Sequence, residues 1–200
     1  LATLTDAELQ PWRAAYWKRV AESEPAITKT IFVDKMPLNA VFLPLIAKLF
    51  PRAKILLALR DPRDAVLSCF RRRFAMNAGM MEFTGLDTTA AYYIAVMSLI
   101  EVYRDKLTLD LLETRHEKLV VDFDGEAKHL CDFLGLEFRE EMRRFADRAK
   151  AQNIDTPSGA QLARGLSESG IAQWRRYQPQ LESVLPMLAP FVARFDYPES

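Results

Sequence analysis

The sequence predicts an α/β fold, a parallel sheet flanked by helices with a helical C-terminal part. Three observations carry this. Residues 54–59, KILLAL, form an almost unbroken apolar run of the kind a strand shows when both its faces are covered. Directly behind it, Asp61 and Pro62 are suited to the N-cap and the first position of a helix, where proline's missing N–H costs nothing. Apolar runs of strand type then alternate with stretches of helical period along the chain, the pattern of helices packed on a sheet.

The 200 residues suffice for one domain with a sizeable core, or for a domain with a small helical appendage. Half of them are hydrophobic and the formal charge is zero, which argues against a surface built generally for nucleic acid. Cys69 and Cys131 fall in separate predicted helices without CxxC spacing, so core packing in a reduced, cytoplasmic setting is expected. No apolar run reaches membrane-spanning length, because Pro44 and Lys48 interrupt the longest.

Taken in order, Thr5 and Glu8 form a capping box ahead of Leu9, Trp12, Tyr16 and Val20, an amphipathic helix kinked near Pro11. Residues 31–35 read as a short strand, with Lys35 where it leaves the sheet, and Met36 before Pro37 is pushed towards extended geometry. Leu38, Phe42, Leu45, Ile46 and Leu49 mark a helix leading into the 54–59 strand. In the helix that follows it, Val66, Leu67, Phe70 and Phe74 make the apolar stripe, and Asp64, Ser68, Arg71 and Arg72 fall on the other side.

Residues 75–87 lose the pattern and read as a mobile loop. A long helix runs from Asp87 or Thr88 to Lys106, a strand occupies residues 111–117, and Asp122 caps a helix that Gly135 terminates. Phe138, Met142, Phe145 and Ala149 give a further helix, and the polar stretch 152–169 reads as loop with a turn of helix near Gln161 to Arg164. Ile171, Trp174 and Tyr177 suggest a short helix, and residues 181–195 a last one broken by Pro186 and Pro190.

Arg60 ends the central strand, and Ser68 and Arg72 are neighbours one turn apart on the next helix. A guanidinium and a hydroxyl placed beyond a strand's carboxyl end make a pocket for a phosphate. The run RDPRD at 60–64 also reads as a capped helix start laced with surface ion pairs, and spacing does not separate the two readings. His116 and His129 lack metal-ligand spacing, and no GxSxG elbow occurs.

A set of motifs in order then resembles a family: FVDKMPLN at 32–39, LFPRAKILLALRDPRDAVLSCF at 49–70, AYYIAVM at 91–97, RHEKLVVDFDGEAKHLCDFLGL at 115–136, TPSGAQ at 156–161 and SGIAQWRRY at 169–177. Together they resemble the sulfotransferases that use 3′-phosphoadenosine 5′-phosphosulfate, above all the protein tyrosine sulfotransferases and bacterial sulfotransferases fused to tetratricopeptide repeats. The resemblance implies a fold like that of the P-loop NTPases. It implies sulfuryl transfer from that nucleotide, as co-substrate and without a metal, to a hydroxyl on a carbohydrate, peptide or small metabolite. Arg60, Ser68 and Arg72, with Arg164 from the late loop, are the implied ligands of the nucleotide's 3′-phosphate. Lys35 matches the lysine of the KxP turn, which stabilises the transferring sulfuryl group. An upstream tetratricopeptide region is the implied companion; no nucleic acid is expected.

The sequence also departs from that pattern. No glycine-rich loop for the 5′-phosphosulfate follows an apolar strand, so residues 1–200 are expected to be the C-terminal portion of a sulfotransferase domain, with the loop and the catalytic glutamate upstream. His116 stands where relatives carry tyrosine. Ala172 replaces the serine that the tyrosine sulfotransferases place ahead of this tryptophan. Two other readings are a different phosphate-loop enzyme such as a nucleotide kinase, which would need a Walker lysine and magnesium ligands, and a degenerate nucleotide fold that binds without catalysis.

Overall fold

A computed structural model of the chain describes residues 3–23, 31–72, 74, 79–151 and 163–199. Residues 152–162 of the loop expected over 152–169, with the TPSGAQ motif, lie outside them. The described residues divide into two compact units, one of Leu1–Lys54 with Ser98–Asp110, the other of Ile55–Met97 with Leu111–Ser200.

In the first unit, helix α1 (Asp6–Ser23) opens with the expected capping box, Thr5 N donating to Glu8 Oε2 at 2.8 Å and Glu8 N to Thr5 Oγ1 at 3.4 Å. Pro11 is inside the helix, within its first two turns. A 3-10 turn at Pro37–Phe42 leads into α2 (Leu43–Leu49), and Arg13 Nε donates to the Leu49 carbonyl at 2.5 Å, joining the two helices. Tyr16, Trp17, Phe32 and Phe50 pack as a set of edge-on and tilted rings.

The strand expected at 31–35 does not form. Residues 31–36 have no regular structure, and Ile31 and Val33 are 55% and 72% exposed while Phe32 joins the aromatic set. Of the apolar run Ile31, Phe32 and Val33 only Phe32 is partly buried, and ring packing covers it without a ladder partner.

Among the described residues the sheet of the second unit has two neighbouring parallel strands, β1 (Lys54–Leu59, whose first residue belongs to the first unit) and β2 (Asp110–Arg115, likewise). With a sheet this small, β1 is not covered on both faces as its composition suggested. Burial alternates along it, and Leu56 is 40% exposed. Helix α3 (Pro62–Arg71) follows β1, and α4 (Leu86–Lys106) leads back towards β2. The stretch expected to be a mobile loop instead includes a 3-10 turn at Met80–Thr84, whose Phe83 packs between Phe74 at 5.3 Å and Tyr92 at 5.7 Å; residues 75–78 lie outside the description.

After β2 come α5 (His116–Val121) and α6 (Phe123–Leu134). Asp122 caps α6 through Gly125 N at 2.9 Å, and Gly135, at φ 72°, ends it in the left-handed conformation. A 3-10 turn at Glu140–Arg144 and α7 (Phe145–Ala151) follow. The C-terminal part has 3-10 turns at Glu168–Gly170 and Gln173–Tyr177 and helices at Gln178–Leu181 and Leu185–Arg194. Pro186 starts the last helix, and Pro190 is tolerated inside it. Its N-cap Val184 and its Leu188, with Leu181 and Trp174, bury Val66 and Leu67 of α3 in one core.

Candidate functional site

The site is built on the turn between β1 and α3. Asp61 caps α3 as expected, accepting from Arg63 N at 2.9 Å. The Arg63 guanidinium also forks onto the same carboxylate, Nε to Oδ1 at 2.9 Å and Nη2 to Oδ2 at 2.7 Å, and both side chains are buried. The sequence does not single out Arg63. In the fold it lies 3.8 Å from the centre of the Trp174 ring and donates to the carbonyls of Pro198 at 2.6 Å and Glu199 at 3.0 Å.

The C-terminal segment closes the same turn from another side. Glu117, at the start of α5, accepts from Asp61 N at 3.0 Å and from the Tyr197 hydroxyl at 3.0 Å. Burial and the Glu117 charge push the Tyr197 phenol well above its ordinary value of 10.

Asp64 was expected on the polar side of α3 and is buried, 1% exposed. What covers it is the Gln173–Tyr177 turn, whose Trp174 N–H donates to Asp64 Oδ1 at 2.8 Å. Ala172 takes a left-handed φ of 52° there, a conformation costing a non-glycine residue about 1 kcal/mol. Burial raises the Asp64 pKa above 3.8, opposed by the Trp174 N–H, by the charge of Arg60 and by a weaker pull from the Ala172 N–H; Oδ2 has no hydrogen-bond partner within reach.

Arg60 itself is half-buried between β1 and the cap. Its Nη2 donates to the Gly170 carbonyl at 2.5 Å, and its Nε is buried with no hydrogen-bond partner. A charged donor fixed at one end and unsatisfied at the other is suited to an oxyanion, which would accept from the free N–H. The guanidinium also acts, with that of Arg72, on the Cys69 thiol, whose pKa burial raises and these two charges lower. Arg60 and Arg72 therefore bear on one position of α3, next to the half-buried Ser68.

Arg72 does not extend the helix. It is the C-cap of α3, with extended backbone at φ −91° and ψ 144°, and has an interaction partner of its own. Arg164 is exposed, and its neighbours Gly165 and Leu166 line a cleft of about 460 Å³ with Phe123, Arg143 and Phe145. A larger cleft of about 610 Å³ is lined by Arg139, Met142, Arg144 and Arg148. Neither cleft holds a predicted site residue. Both are open, solvated surfaces without an unpaired buried donor, whereas the Arg60 turn has one. Lys35 belongs to the first unit and is exposed; its neighbour Asp34 accepts from the Tyr16 hydroxyl at 2.8 Å and from Asn39 Nδ2 at 3.0 Å.

His116, which stands where the resembling family carries tyrosine, is half-buried beside the same turn. A Cβ built on Gly170 would lie 3.5 Å from Arg60 Nη2 and 3.6 Å from His116 Nε2. Burial and then the Arg60 charge lower the imidazole's pKa from 6.5, with Glu117 opposing. The available signal was position: Arg60 directly follows β1, and His116 directly follows β2.

Among the described residues, no group of three or more His, Cys, Asp or Glu side chains is arranged to hold a metal, and no helix is long and apolar enough to cross a membrane. An uncharacterised protein of Aquifex aeolicus (strain VF5) is 24% identical over 185 residues, which are 92% of this chain and 24% of that protein. The chain thus spans about a quarter of the length of this relative. A sulfotransferase family model matches residues 3–140, well over half of the chain and including the β1–α3 turn, β2 and α6. This chain belongs to the sulfotransferase family.

Proposed function

We propose that the protein to which this chain belongs transfers a sulfuryl group from 3′-phosphoadenosine 5′-phosphosulfate to a hydroxyl acceptor, and that the β1–α3 turn holds the donor's 3′-phosphate. Family membership supports the reaction class, and the family's P-loop-like α/β fold supports a nucleotide beyond the carboxyl ends of the strands. The observation that carries the reading is Arg60, anchored through Nη2 to Gly170 and left with a buried, unsatisfied Nε. Ser68 supplies a hydroxyl donor and Arg72 a second charge, and Arg164 is proposed as a further cation for the same dianion. Lys35 keeps the role that the family likeness gives it, a positive charge for the sulfuryl group in transfer.

The donor supplies an activated sulfur whose bond to the 5′-phosphate oxygen breaks as the acceptor oxygen bonds to it. The acceptor proton leaves to a base, and adenosine 3′,5′-bisphosphate departs. What the residues of this chain contribute is charge fixed in advance where negative charge sits or develops, as in phosphoryl transfer. The acceptor is a carbohydrate, peptide or small metabolite, and a tetratricopeptide region upstream is the proposed companion.

Calorimetric titration with adenosine 3′,5′-bisphosphate, against adenosine 5′-phosphate, tests the nucleotide site. Binding is expected to require the 3′-phosphate and to weaken about 10- to 100-fold in Arg60→Ala, the loss of one charge-assisted contact. Equal affinity for the two nucleotides overturns the assignment. A sulfate-transfer assay on the longer protein then separates an enzyme from a binding module.

A further inference from the structure

Arg60 and His116 hold equivalent places on neighbouring strands. β1 ends at Leu59 and β2 at Arg115, the strands are parallel and hydrogen-bonded, and each of the two residues is the first beyond its strand's carboxyl end. The Glu168–Gly170 turn meets both: the Gly170 carbonyl accepts from Arg60 Nη2, and one point beside its α-carbon lies within 3.6 Å of both Arg60 Nη2 and His116 Nε2. With glycine there, no side chain separates the guanidinium from the imidazole.

We propose that His116 is a second, proton-dependent contact for the anion held at Arg60, so that an oxyanion ligand binds more tightly when the imidazole carries its proton. This rests on the reading of Arg60 as a 3′-phosphate site and assigns that site a residue and a pH response. A neutral imidazole offers an anion one N–H and no charge, whereas the imidazolium offers two donors and a positive charge. In the free protein the proton is disfavoured by burial and by the nearby Arg60 charge, leaving His116 below the ordinary 6.5. Glu117 on the same helix opposes this, though its two oxygens already accept from Asp61 N and the Tyr197 hydroxyl. Lys118 lies on the same helix, and the elements packed against α5 add Glu168 on the Glu168–Gly170 turn and Asp124, Glu126, Lys128, His129, Cys131 and Asp132 on α6.

An anion on Arg60 cancels the field that repels the proton and adds negative charge beside the imidazole. The His116 pKa therefore rises on binding, and by linkage affinity rises as pH falls through the interval between the free and bound values. The proton comes from solvent, up to one for each anion bound.

Two measurements test this. In the free protein, the His116 resonance is identified by its loss in His116→Gln and followed through a pH titration by NMR. It is expected to titrate below 6.5 in the wild type and higher in Arg60→Gln, where the repelling charge is gone; identical titration in both overturns the proposal. Calorimetry with adenosine 3′,5′-bisphosphate in two buffers of different ionisation enthalpy, at pH 7, then counts protons taken up. Wild type is expected to take up more than His116→Gln; at this pH, above the second pKa of about 6 of the ligand's phosphates, the ligand is largely deprotonated and has little proton to give up.

Equal uptake overturns the role of His116 and leaves the Arg60 reading standing. If the NMR result holds but the bisphosphate fails to bind, the nucleotide reading falls and the anion role falls with it. His116→Tyr, which also has no proton to gain near neutrality, is expected to lose the excess uptake and replaces His116→Gln should that variant not fold.

Discussion

The backbone N–H of Trp174 donates to Asp64 Oδ1 at 2.8 Å inside the core of the second unit, tying a late turn to the helix that follows the central strand. Burial raises the Asp64 pKa above 3.8, so the folded chain holds this proton more tightly than the unfolded one. Its contribution to stability is full below 3.8 and is lost as pH rises through the folded value. Asp64→Asn keeps an acceptor for Trp174 and removes the charge. It is expected to match or exceed wild-type stability at pH 7 and to flatten the pH dependence, whereas Asp64→Leu strands the N–H and costs about 1–3 kcal/mol. Urea denaturation of the three proteins at pH 7 and pH 5 checks this.

Arg63 is 4% exposed and is the partner of an Asp61 carboxylate that is 6% exposed. Removing it leaves a buried charge unpaired and also frees the carbonyls of Pro198 and Glu199. Arg63→Met is therefore expected to destabilise by about 3–5 kcal/mol, measured by chemical denaturation. Tyr197→Phe, which removes one hydroxyl donor from Glu117, should cost about 1 kcal/mol in the same assay.

The glycine in the first turn of α6 and the glycine that ends it should respond differently to alanine. At Gly135 a Cβ meets nothing within 4 Å, so Gly135→Ala costs only the left-handed strain at φ 72°, about 1–2 kcal/mol. At Gly125 a Cβ would lie 2.2 Å from Asp122 Oδ2 and push the capping carboxylate off its hydrogen bond, a loss of about 1 kcal/mol or more. Thermal unfolding distinguishes them when each is combined with Asp122→Ala: the Gly125 effect should largely vanish in that background and the Gly135 effect persist.

Ser68 and Gly170 test the anion site without touching its main charge. Ser68→Ala is expected to weaken adenosine 3′,5′-bisphosphate binding about tenfold or more and to leave adenosine 5′-phosphate unaffected. Gly170→Ala places a methyl group in ordinary contact with Arg60 Nη2 and His116 Nε2, so the fold should persist while the bisphosphate binds more weakly. Calorimetry alongside circular dichroism reads both outcomes.

The local sequence determined the turn from β1 into α3, the Asp61 and Asp122 caps, the Thr5–Glu8 box and the Gly135 stop. Each is decided within about one helical turn by backbone donors and nearby side chains, interactions that residue spacing states directly. Tertiary structure decided that Asp64 and Arg63 are core residues, that residues 31–35 form no strand, and that His116 borders Arg60. The physical reason is coverage. Whether a charge is solvated or buried, and whether an apolar run finds a ladder partner, depends on which segment arrives from elsewhere in the chain. Trp174 and Gly170 each arrive from 110 positions away.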